Sequence, residues 1–71
     1  MNSNLLKATI TKNGDTMTSL AEEMGMPVSA LSLRVSGKIE FRRSEIKFIK
    51  ERYHLSCEEV DDIFFVELVS A

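Results

Sequence analysis

Seventy-one residues, 44% of them apolar, suffice for one small core and not for a second domain. A core of that size is marginal by itself, which favours a homodimer or a partner complex. A net charge of −2 and a pI near 5.3 argue mildly against a nucleic-acid partner, and the lone Cys57 excludes an intrachain disulfide and suits a reducing compartment.

The opening MNSNLLKATI contains no uninterrupted apolar run, so neither a signal peptide nor a membrane span is expected, and the chain reads as cytoplasmic. Residues 3–13 predict a first helix with Leu6 and Ile10 inward and Lys7 outward, stopped by Asn13-Gly14-Asp15. Thr16 is positioned to N-cap a second helix, in which Met17, Leu20, Ala21 and Met24 form one apolar stripe on a 3.6-residue period. Gly25 follows where a helix end needs positive φ. Pro27 suits the first turn of a third helix, because no N–H partner is lost there. That helix places Leu31 and Val35 four apart on one face, turns Ser29, Ser32 and Leu33 elsewhere, and ends at Ser36-Gly37. Two short helices across a tight turn, with the small Ala21 at their crossing, make a helix-turn-helix over about residues 16–38.

After a linker, Lys38–Arg42, with Phe41 folded back on the core, a fourth helix is predicted from about Arg43 to Tyr53. Ile46, Ile49 and Tyr53 form its buried stripe, and Phe48 lies roughly opposite on a helical wheel. Phe48 is therefore either packed beneath the C-terminal arm, placed at a homodimer seam, or exposed for a partner. Ser56-Cys57-Glu58-Glu59 reads as a capping box that starts a fifth helix, burying Val60 and Phe64 beside Cys57. Val66-Glu67-Leu68-Val69 extends that helix or forms an arm over residues 66–71. Charge is unevenly spread along this chain: Arg34, Lys38, Arg42, Arg43, Lys47, Lys50 and Arg52 crowd the middle, while Glu58, Glu59, Asp61, Asp62 and Glu67 crowd the end. The expected fold is all-α, one domain over 1–71, with a core from Leu6, Ile10, Leu20, Ala21, Met24, Leu31, Val35, Ile46, Ile49, Val60 and Phe64.

Ala21, Gly25, Leu31 and the Ser36-Gly37-Lys38 ending resemble the Cro/cI-type helix-turn-helix family of phage regulators. The segment LSLRVSGKIEFRRSEI is similar to one branch, the small Cro-like and modulator-of-repression proteins of temperate phages of Gram-positive hosts. The resemblance spans about residues 4–65. It implies a five-helix lambda-repressor-like DNA-binding domain acting on double-stranded operator DNA in the lysis–lysogeny switch of a bacterial host. Carried onto this chain, it places Val28, Ser29, Ser32 and Leu33 toward base edges and Met17 and Thr18 toward phosphate. Lys38, Arg42 and Arg43 meet the backbone just after the motif, and Arg34 reaches either target. The chain departs from the family at Met17, where glutamine is frequent, and at Val28 and Leu33, which contact at most a thymine methyl. Discrimination weaker than a dedicated repressor's is therefore expected.

A second reading is an antirepressor that docks on a cognate phage repressor through Phe48 and the acidic fifth helix. Catalysis is not expected. His54 and Cys57 lie three apart with no further soft ligand, adjacent carboxylates such as Asp61-Asp62 diverge on a helix, and no glycine-rich phosphate loop is present. No cofactor, metal or small-molecule substrate is implied.

Overall fold

A computed structural model describes residues 1–65, and over that range the chain forms five helices and no strand. They are α1 (Ser3–Lys12), α2 (Met17–Met24), α3 (Val28–Val35), α4 (Arg43–Arg52) and α5 (Cys57–Phe64). The expected all-α architecture holds, with boundaries within one residue; the C-terminal arm at 66–71 lies outside the described residues. None of these helices is long and apolar enough to cross a membrane.

Three of the five helices start at a side chain that accepts an orphan N–H. Asn2 Oδ1 accepts from Leu5 N at 3.0 Å, Thr16 Oγ1 from Ser19 N at 3.1 Å, and Ser56 Oγ from Glu59 N at 3.1 Å. Ser19 and Glu59 return the bond to the cap's own N–H, completing two capping boxes. Pro27 is itself the N-cap of α3, one position before the first turn where it was expected. At α4, Glu45 Oε1 accepts from Arg42 N at 2.8 Å, which is the carboxylate half of a box.

Four helix ends share one device. After α2, Gly25 takes φ 75°, its N–H reaches Glu22 O, and Met26 N reaches back to Ala21 O. The ends of α1 and α3 repeat this pattern at Gly14 and Gly37. At α4 the same left-handed position is filled by His54, at φ 53°, with Leu55 N bonded to Lys50 O at 2.9 Å. An L-residue pays a steric cost there that glycine does not.

The core is Leu6, Ile10, Leu20, Ala21, Leu31, Val35, Ile49, Tyr53, Val60, Ile63 and Phe64. Leu6, Leu20, Leu31 and Ile49 are sealed from solvent, each worth roughly 1.5–3 kcal/mol of burial. Ile63 joins the core expected from the sequence and Tyr53 is buried as its place in the α4 stripe predicts, whereas Met24 and Ile46 are half-buried and only pack against it. Phe41 does fold back, meeting Phe64 edge-on with ring centroids 5.4 Å apart. Phe48 is half-buried and packs against the core. Cys57 is exposed, because the α5 stripe that turns inward is Val60, Ile63 and Phe64. α2 packs mainly on α3, and α1 bridges α3 and α5, with Asn2 N donating to Ile63 O at 2.7 Å.

Candidate nucleic-acid interface

Leu31 and Val35 anchor one side of α3 in the core, and that burial turns the opposite side outward. Val28, Ser29, Ser32 and Leu33 are all exposed and span an arc of about 140° at ~100° per residue. Val28 is 41% exposed and Leu33 40%, large values for apolar side chains on so small a domain. The arc therefore offers two hydroxyls and two aliphatic groups.

Arg34 is not on it. Its Nε lies 3.0 Å from Glu45 Oε1, its Nη1 donates to Ala30 O at 3.1 Å, and its side chain is only 15% exposed. The sequence reading gave Arg34 free reach to base or phosphate; the structure ties it to the start of α4. The cause is tertiary, since Glu45 is eleven positions away and is brought near only when α3 and α4 pack. Met17 is half-buried against the core, in keeping with its place in the apolar stripe of α2, while Thr18 beside it is exposed.

Lys38, Arg42 and Arg43 are exposed and take part in no ion pair among the described residues. Gly37 ends α3 so that Lys38 leaves at its tip, and Arg42 and Arg43 stand at the N-terminus of α4, the positive end of that helix's dipole. Glu45, in the first turn of α4, already accepts from Arg42 N, so what remains for an approaching anion is the side-chain charge of Lys38, Arg42 and Arg43.

The functional layout has a second element that sequence reasoning missed. Asp15, read only as part of a turn, accepts four hydrogen bonds. Oδ2 receives Arg52 Nε at 2.8 Å and Tyr53 OH at 2.6 Å; Oδ1 receives Arg52 Nη2 at 3.0 Å and Ser19 Oγ at 2.9 Å. These bonds use all the acceptor positions a carboxylate has. The Arg52 guanidinium, then the Tyr53 hydroxyl, hold the Asp15 carboxyl well below the usual carboxylate range. Burial, then the bond to Asp15, pushes the Tyr53 phenol above its ordinary value, and Asp15 raises the Arg52 guanidinium. Arg52 Nη1 also lies 3.6 Å from Glu23 Oε1 on α2. Arg52 thus leaves the basic cluster to which the sequence assigned it.

Together these contacts make α4 a brace. Its N-terminal end holds α3 through Glu45–Arg34, and its C-terminal end holds the start of α2 through Arg52–Asp15. The two points are about 10 Å apart along α4, at 1.5 Å per residue. Only the sequence signal of Asp15 one position before a Thr cap pointed here, and it names no partner. Comparisons of the chain with protein-family models, with curated proteins and with solved structures find no match.

Proposed function

We propose that this chain is a small Cro-type transcriptional regulator that binds double-stranded operator DNA through α3, with α2–turn–α3 serving as a lambda-repressor-like helix-turn-helix. Its setting on this reading is the lysis–lysogeny switch of a temperate phage or prophage, in the cytoplasm of the host. The observation that carries the proposal is the outward arc of α3: Val28, Ser29, Ser32 and Leu33 stay exposed on a helix whose other side is locked in the core and clamped to α4. A rigid helix with one open face is what a major groove about 12 Å wide admits. Lys38, Arg42 and Arg43 supply the phosphate contacts, with Thr18 at the start of α2. No catalytic role is part of the proposal.

Binding through those cations releases counterions, so affinity for an operator fragment should fall steeply with salt. Arg42→Ala with Arg43→Ala should weaken binding evenly across sequences and flatten the salt slope by about 2. Equal affinity of the double variant and the parent would remove the phosphate assignment.

A second reading, docking on a cognate repressor, draws support from a different surface. Phe41, Ile46 and Phe65 line an open groove of about 520 Å³ rimmed by Arg43, Lys47 and Lys50, suited to an acidic segment with apolar side chains. Lys47→Glu with Lys50→Glu should abolish repressor capture on that reading. On the DNA reading it should leave sequence preference unaltered.

A further inference from the structure

We infer that the duplex accepted by the α3 face is rich in A·T pairs, with thymine methyl groups packed on Val28 and Leu33 and no paired donor on the arc to single out guanine. The inference rests on the DNA-binding reading and adds the chemistry of the site it selects. Guanine presents O6 and N7 in the major groove, and the side chains that recognise it are the paired donors of arginine or lysine. Arg34 is the one such residue within α3, and its Nε is engaged by Glu45 at 3.0 Å while Nη1 is engaged by Ala30 O at 3.1 Å. Two of its five N–H donors are spent inside the molecule, and at 15% exposure the side chain is held off the α3 arc. What remains on the arc is matched to thymine. Val28 and Leu33 are exposed aliphatic groups that gain by covering a C5 methyl and gain nothing at a guanine edge. Ser29 and Ser32 carry hydroxyls that donate or accept, and so meet any base edge, guanine included, which leaves the preference to the methyl contacts of Val28 and Leu33.

The test is selection of the full-length chain against a random double-stranded library at low salt. Fluorescence-anisotropy titrations of the selected duplex follow, with and without uracil in place of thymine. Uracil removes the C5 methyl and keeps the hydrogen-bonding edge. The expected result is an A·T-rich consensus in which each contacted uracil weakens binding ~3–5-fold, the value of one buried methyl-sized group. Leu33→Ala, at an exposed position that leaves the core intact, should erase the thymine–uracil difference at one position of the site. A consensus containing an invariant guanine, or equal affinity for the uracil duplex, overturns this inference while leaving DNA binding in place. Binding without enrichment of any sequence overturns the inference alone, and failure to bind duplex at all overturns the DNA-binding reading and the inference with it.

Discussion

Arg34 and Arg52 are both tied to carboxylates at the two ends of α4, yet the two clamps differ in kind. Asp15 grips Arg52 with both oxygens and also binds Tyr53 and Ser19, so its acceptor positions are full. Glu45 holds Arg34 by a single oxygen, and shares that same oxygen with Arg42 N. A saturated carboxylate with a two-pronged arginine is a fixed joint; a shared single contact can be opened at lower cost. The first clamp therefore belongs to the fold, and the second, on the proposed DNA-binding reading, governs what the exposed face of α3 can read. Both withdraw an arginine from a surface that sequence reasoning had counted as basic.

Breaking the saturated clamp should have the largest effect. Asp15→Asn should lower Tm by roughly 5–10 °C at pH 7, since it removes the charge that orders Arg52 and weakens the bond to Tyr53. The sign of its pH dependence follows from the direction of the shift. A carboxyl held below its ordinary value of about 3.9 adds stability above that pH and loses it as pH falls toward the depressed value. The gap between parent and variant should thus be constant from pH 7 to about 5 and narrow from about 4 to 2. Thermal melts across that range check it, and a gap that widens in acid would remove Asp15 from the role.

Tyr53→Phe tests one arm of the same joint. It leaves the ring in the core and deletes the 2.6 Å bond to Asp15, which should cost about 1 kcal/mol, read as a chemical-denaturation midpoint. Glu45→Gln probes the weaker clamp and separates stability from recognition. The amide oxygen can still accept from Arg42 N, so stability should fall by at most about 0.5 kcal/mol. The contact to Arg34 loses its charge and is weakened, and sites selected by this variant should gain guanine where the parent has none. An unchanged consensus would show that Glu45 does not restrain reading. The smallest effect belongs to the backbone just beyond Tyr53. His54→Gly relieves a left-handed residue at the end of α4 and should raise stability by about 0.5 kcal/mol, the steric gain being partly offset by unfolded-state entropy.

Most of the helical plan was legible from residue pattern alone, because caps and stops act within a few positions of the chain. Thr16 announced its cap and Ser56 its box, Gly25 its left-handed end, and the spacing of Leu6 with Ile10 and of Leu31 with Val35 announced which sides turn inward. The exposure of Ser29, Ser32 and Leu33 follows from the same periodicity, since burying one side of a helix leaves the other facing out.

What escaped was pairing across the chain. Asp15 meets Arg52 and Tyr53 over 37 and 38 positions, and Arg34 meets Glu45 over eleven. Local pattern sets where a helix begins, ends and turns its apolar side, because those interactions lie within a turn or two of backbone. Which arginine stays free depends on how two such helices come to rest against each other, and only the packed chain determines that.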